Sequence, residues 1–228
     1  MNERVERLQA NLLKVDQQIA RACERVGRSE RPRVLVASKY MQVDEMEMLA
    51  AAGIRLVGEN RANELEEKWR QWGQDFEFHF IGHLQARRVR QVLPCVTLIH
   101  SVDSISLVEE LEKRAETQVS VLLEVNVSGE QSKYGILPAG AETLLQRATA
   151  YRKVDFVGLM TMAPLSTDPE ASRSFFRGLR TLQDQLAEKF AGRYRLTQLS
   201  MGMSNDYEVA VEEGATILRL GSALLATV

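Results

Sequence analysis

The sequence predicts an α/β protein built as a single (β/α)8 barrel of the TIM type with an additional helix at its N-terminus. Eight short apolar runs recur along the chain, helical patterns separate them, and no Pro/Gly/Ser-rich linker or shift in composition interrupts the alternation. An open doubly wound sheet would more usually carry a glycine-rich first turn, and VASKYMQ at the end of the first run has none. With 228 residues, 45% of them hydrophobic and 26% charged, the chain can bury a large core. Barrels of this size commonly fold as one unit, so residues 1–228 are taken as one domain.

The first element is a helix: Val5, Leu8, Leu12, Val15, Ile19, Ala22 and Val26 recur every three or four residues, and Gly27 follows as a stop. Strands are predicted at 34–38, 55–58, 77–81, 97–100, 119–126, 154–159, 196–200 and 216–220. After the second strand, Ala62, Leu65, Trp69 and Trp72 form an apolar stripe that ends before Gly73. After the sixth, Asp168 and Pro169 open a helix carrying Phe175, Phe176, Leu179, Leu182, Leu186 and Phe190 before Gly192. Core packing accounts for both stripes. Asp103 reads as a helix cap and SGEQS at 128–132 as a flexible loop.

Composition excludes several function classes. A formal net charge of -2 and the lack of a long Lys/Arg block leave no electrostatic footprint for nucleic acid, and Arg87, Arg88 and Arg90 read as a solvated helix face. No apolar run is long enough to span a membrane, and MNERVERLQ is not a basic-then-apolar leader, so a cytoplasmic protein is expected. Cys23 and Cys95 have no spacing that suggests a disulfide framework or a zinc site. His79 and His83 are four apart, but FHFIGH alternates like a strand, so they would not share a helical face as zinc ligands do. No metal site is expected.

In a barrel the chemistry collects where the strands end. The first strand, VLVAS, runs into Lys39, whose amine would become reactive toward carbonyls in a partly desolvated mouth. Gly202 and Ser204 follow the seventh strand, while Gly221 and Ser222 follow the eighth, so backbone N–H groups and two hydroxyls converge where barrels often hold phosphate. Arg219 sits between Leu218 and Leu220 and must face opposite to them, which puts either a charge near the mouth or an exposed salt bridge at the strand end. Lysine, phosphate cup and arginine together suit an aldehyde cofactor with a phosphate and a ring nitrogen, and pyridoxal 5'-phosphate (PLP) fits.

The segments VASKY, VGEN, FHFIGHLQ, HSVDS, LLEVNVSGEQSKYG, GLMTMAP and LSMGMSNDYEVAVEEGATILRLGSALL resemble, in order, the motifs of the pyridoxal phosphate homeostasis proteins. That family's fold is similar to the barrel domain of alanine racemase and of ornithine decarboxylase. The resemblance implies that Lys39 is the Schiff-base lysine, that Asn60 lies beside the cofactor and that Arg219 faces the pyridine nitrogen. It implies Ser204, Gly221 and Ser222 as phosphate binders and Met203 as a further cofactor-binding residue, in the MGMS and RLGS motifs. Two departures stand at one rim: Arg61 follows GEN, and Ala86-Arg87-Arg88 replaces a small-Asn-Lys pattern.

The resemblance implies a PLP-binding protein of vitamin B6 homeostasis without catalytic turnover, monomeric, with apo PLP-dependent enzymes as candidate recipients. The alternative is an amino-acid racemase or decarboxylase. Those enzymes resemble this barrel with a second domain added, whereas this chain ends at Val228, soon after the eighth strand. Racemisation also needs a group on the second face of the cofactor; the one in the related racemase resembles nothing here, and the nearby candidates His83 and Tyr207 read as a loop residue and a helix-face residue. A phosphosugar barrel enzyme using Lys39 is the third reading.

Overall fold

A computed structural model describes residues 2–226 and Val228. Its eight strands are Arg33–Ala37 (β1), Leu56–Glu59 (β2), Glu77–Phe80 (β3), Leu98–Val102 (β4), Val119–Glu124 (β5), Val154–Met160 (β6), Gln198–Ser200 (β7) and Ile217–Leu220 (β8). They pair in parallel in chain order and close, β8 against β1 through Val34 with Leu218 and Val36 with Leu220. The predicted fold and all eight strands are therefore present, with ends displaced by a few residues at most.

The helices are Asn2–Arg25 (α1), Met46–Ala51 (α2), Ala62–Trp72 (α3), Val89–Val92 (α4), Ile105–Arg114 (α5), Pro138–Ala148 (α6), Arg173–Lys189 (α7), Tyr207–Glu212 (α8) and Ser222–Leu225 (α9). Strands buried on both faces read as near-continuous apolar runs, and the main core lies between barrel and helices. A smaller cluster of Leu35, Leu56, Ile81, Leu98, Leu122, Met160 and Ile217 fills the barrel. Gly58 belongs to that interior, because a Cβ there would lie 2.4 Å from Leu35 Cδ2.

Several local expectations shift. Gly27 does stop α1, at a φ of 66°, but Val26 lies beyond the helix and is exposed. In α3, Trp69 is exposed and Lys68 takes its place on the buried face. Asp103 is not a cap, since Ser104 holds the N-cap position of α5 and makes no capping bond. Asp168 does accept from the backbone N–H of Glu170, ahead of a 3-10 turn that leads into α7. The loop after β5 is pinned, because buried Asn126 accepts from Ser128 and Gly129 and donates to the Glu130 carbonyl.

The extra helix α1 packs along α8 and α9. Arg25 pairs with Glu208 and Glu212, and Asn11 donates to the Leu224 carbonyl at 2.8 Å. Its first turns reach the barrel mouth, where Arg4 meets Glu45 at 2.8 Å. Among the described residues no helix is long and apolar enough to cross a membrane.

Candidate functional site

A cavity of about 570 Å³ opens at the C-terminal ends of the strands, and its lining brings together Lys39, Asn60, Met203, Ser204, Arg219, Gly221 and Ser222. All seven residues singled out in the sequence thus line one space. β1 ends at Ala37, two residues before Lys39. The lysine rides instead on a β-turn closed by the Met41 N–H donating to the Ser38 carbonyl at 2.9 Å. Its side chain is exposed, with Nζ 4.7 Å from the Tyr40 ring centroid, so the expected desolvated mouth is corrected: the amine stands at an open entrance. The mouth is open because the strand stops short and the turn lifts Lys39 past the barrel rim.

Below that turn lies a buried ion pair. Lys68 of α3 meets Glu59, the last residue of β2, with the two side chains 2% and 0% exposed. The Lys68 ammonium also donates to the Ser38 carbonyl at 2.8 Å, and the Ser38 hydroxyl donates to Glu59 Oε1 at 2.6 Å. Glu59 Oε2 accepts from the backbone N–H of Asn60 at 3.3 Å. Asn60 itself is half-buried, and its Oδ1 is buried without a protein partner.

On the opposite wall, the loops after β7 and β8 are tied by one hydroxyl. Ser204 Oγ accepts from the backbone N–H groups of Gly221 at 3.2 Å and Ala223 at 3.0 Å. Asp206 Oδ1 accepts from the Met203 N–H at 2.7 Å, and Asp206 Oδ2 from the Ser172 hydroxyl. Gly202 makes this bend possible: its φ of 91° suits glycine, and a Cβ there would lie 2.5 Å from that of Ala210. Ser222 is exposed as the first residue of α9, and a Cβ on Gly221 would meet only Ala37, at 3.8 Å, which leaves the backbone open to close approach.

Arg219 points inward, as one of the two sequence readings required, and is 6% exposed. It donates to Ser200 Oγ at 2.6 Å and to the Thr161 carbonyl at 2.8 Å. Burial lowers its pKa to about 10, so it stays charged at neutral pH. From Ser200 a polar chain crosses the barrel: His100 Nδ1 at 2.9 Å, His100 Nε2 to His79 Nδ1 at 3.0 Å, and His79 Nε2 to Glu77 Oε1 at 2.9 Å. Glu77 is met there by Arg33.

Burial lowers the pKa of His79, against the raising effect of its bond to Glu77, and holds that of His100 well below its ordinary value. Two neutral rings fix every proton in the chain. Glu77 can only accept, so His79 donates from Nε2, His100 from Nε2, and Ser200 from its hydroxyl, which leaves Ser200 Oγ to accept from Arg219. Glu124, also buried at the end of β5, has its pKa raised to about 7, first by burial and then by Asp103, against the pull of Arg219.

Residues 8–227 match the family described as alanine racemase, N-terminal domain. A pyridoxal phosphate homeostasis protein of Aquifex aeolicus is 41% identical over 218 residues, covering 93% of this chain and 95% of its own. The chain belongs to the pyridoxal phosphate homeostasis protein family. Among solved structures, a protein from Bifidobacterium adolescentis matches with a TM-score of 0.89 and 35% identity, over 98% of this chain and 96% of that one. PipY of Synechococcus elongatus, solved with PLP bound, matches with a TM-score of 0.82 and 29% identity, over 96% of this chain and 99% of that one.

In this member of the pyridoxal phosphate homeostasis family, the two departures fall outside the main cavity. Arg61 and Arg88 line a second cleft of about 390 Å³ that also includes His83. His83 stacks on Tyr134 from the loop after β5, ring centroids 3.9 Å apart, and Lys133 in that loop donates to the Met162 carbonyl at 3.2 Å. Tyr207 is buried with its hydroxyl on Gln18. Neither His83 nor Tyr207 lines the main cavity. Reading the sequence missed Lys68, the His79–His100 chain and Glu124.

Proposed function

We propose that this chain binds pyridoxal 5'-phosphate in the main cavity, as a Schiff base with Lys39, and acts in vitamin B6 homeostasis without catalytic turnover. The observation that carries the reading is the convergence, in one cavity, of an amine from the β1 turn, an arginine from β8 and the serine-bearing loops after β7 and β8. The donor set fits the cofactor. Ser204 Oγ, which accepts from the Gly221 and Ala223 N–H groups and so turns its own O–H outward, and the exposed Ser222 hydroxyl offer donors to a phosphate, and the orphaned Asn60 amide offers a polar edge to the ring. Arg219, charged and donor-only, suits an unprotonated pyridine nitrogen, and Met203 supplies an apolar wall.

When bound, the cofactor supplies an aldehyde that captures amines. Lys39 holds it in place, and its open position leaves room for a competing amine to enter. A cation at the ring nitrogen weakens the electron sink, which disfavours sustained racemisation or decarboxylation without forbidding it. A second-face proton carrier is also wanting in the two candidates read from sequence, since His83 stacks on Tyr134 and Tyr207 bonds Gln18. The proposal takes the chain as one barrel domain, monomeric and cytoplasmic, with apo PLP-dependent enzymes as recipients; two unpaired cysteines suit a reducing compartment.

The test is mass spectrometry after incubation with PLP and borohydride reduction. A pyridoxyl group on Lys39 is expected, with loss of the visible absorption band. Label on Lys133 instead, or no label, refutes the assignment.

A further inference from the structure

Lys68 has no place at the cavity surface, yet it is almost wholly buried and its ammonium is spent on two groups, the Glu59 carboxylate and the Ser38 carbonyl. Burying a lysine is costly unless it is paired and hydrogen-bonded, and a surface helix offers it solvent a few ångströms away. The position of its partners shows what the burial fixes. The Ser38 carbonyl is the peptide oxygen immediately before Lys39, and it also accepts from the Met41 N–H that closes the turn carrying Lys39. Glu59 holds the Ser38 side chain with one oxygen and the Asn60 backbone with the other. One ion pair therefore grips the chain directly before both Lys39 and Asn60, the two cavity residues contributed by β1 and β2.

We infer that the Lys68–Glu59 pair is a positioning device for the reactive amine: it sets the turn at 38–41 so that Lys39 meets the aldehyde while the phosphate lies in the serine loops. The inference rests on the function proposed above. The long Lys39 side chain is exposed at an open entrance, so its reach is governed by where its backbone is anchored. Misplacing a reacting group by about 1 Å costs on the order of 100-fold in well-aligned systems. The clamp shares no residue with the phosphate loops, so loosening it should impair capture of the aldehyde and spare binding of the rest of the molecule.

Lys68→Met alone leaves a buried, unpaired carboxylate and risks unfolding, so the informative variant is the charge-neutral double substitution Glu59→Gln with Lys68→Met. Two probes separate position from fold. Pyridoxine 5'-phosphate has ring and phosphate but no aldehyde, and reports binding without capture. PLP followed by borohydride reports the fraction captured at Lys39. The clamp predicts that capture at a fixed subsaturating PLP concentration falls roughly tenfold or more while pyridoxine 5'-phosphate affinity stays within about twofold. A parallel loss of both shows that the pair serves only the fold, and unchanged capture shows that it positions nothing; either result overturns the inference. Wild-type protein that binds pyridoxine 5'-phosphate but is never labelled at Lys39 overturns the proposed function first, and the clamp's role with it.

Discussion

Unfolding in mildly acidic solution is expected to set proton uptake at one buried site against proton release at another, so the two pull stability in opposite directions with pH. Burial lowers the pKa values of His79 and His100 and so favours their neutral forms in the fold. In the unfolded chain each imidazole returns to a pKa near ~6.5 and carries most of a proton at about pH 5.5. Unfolding thus takes up protons on the histidines, so their contribution to stability is present above about pH 6.5 and is lost as pH falls toward the folded values.

Glu124 acts in the other direction. Its folded pKa of about 7, raised first by burial and then by Asp103, lies above the ~4.3 of an unfolded glutamate. Its contribution is full below about pH 4.3 and is lost as pH rises through about 7, so unfolding in the same window releases roughly one proton. Arg219 faces this carboxyl but stays charged throughout. Glu77 and Glu213 are held below their ordinary range and exert their effect below about pH 4.5.

Proton uptake on the histidines makes stability rise with pH, while release from Glu124 makes it fall by up to about 1.4 kcal/mol per pH unit. Glu124→Gln removes the opposing site and should make stability rise more steeply with pH, by up to about 1.4 kcal/mol per unit. The double substitution His79→Gln and His100→Gln leaves Glu124 alone and should reverse the sign, to about 1.4 kcal/mol lost per unit of rising pH. Proton uptake on urea unfolding, followed in weakly buffered solution beside urea midpoints at constant ionic strength, measures each slope. A Glu124→Gln variant with an unchanged slope, or a double-histidine variant whose stability still rises with pH, refutes the assignment of these protonation states.

Two further outcomes follow from the cavity. Ser204→Ala and Ser222→Ala should each weaken PLP retention by about 1.5 to 3 kcal/mol through a lost hydroxyl bond to charged phosphate, with the barrel still folded. Equilibrium dialysis checks this, and undiminished affinity in the double variant removes the phosphate cup. The wild-type protein loaded with PLP should exchange the α-hydrogen of alanine for deuterium slowly and without sustained inversion, because a missing acid or base typically costs a factor of about 100 to 10,000. Inversion at enzyme-like turnover in an NMR assay restores the racemase.

How much of this was legible in the sequence follows from how far apart the interacting residues lie. The eight strands could be read because each is a local run of β-formers bounded by its own punctuation, and the cavity residues because strand ends in a barrel converge by topology. The chain from Arg219 to Glu77 could not, because its links join residues separated by 19, 100 and 21 positions before the last local step. Alternation marks His79 as inward or outward, but nothing local says that His100 waits opposite. Lys68 did carry a signal. It stands three residues after Leu65 and four before Trp72, on the apolar face of α3, where a lysine demands a buried partner. The stripe reading took Trp69 for that face because an aromatic residue is the ordinary choice, and Trp69 is exposed instead.

The two ends of the cavity therefore rest on separate polar foundations. Lys39 and Asn60 stand on Lys68, Glu59 and Ser38, while Arg219 stands on Ser200, His100, His79 and Glu77, and the two sets have no residue in common. One is an ion pair that ties backbone to backbone outside the barrel interior. The other is a directed chain of neutral rings inside it, ending on the Glu77–Arg33 pair at the far end of the strands. A fully satisfied buried network rigidifies what it holds, whereas a partly satisfied one exacts a desolvation cost. Because neither network depends on a partner in the other, damage to one should leave the other's geometry in place, and sites without shared partners contribute nearly additively. The amine can thus be misplaced without disturbing the arginine, and the arginine can lose its support without moving the amine.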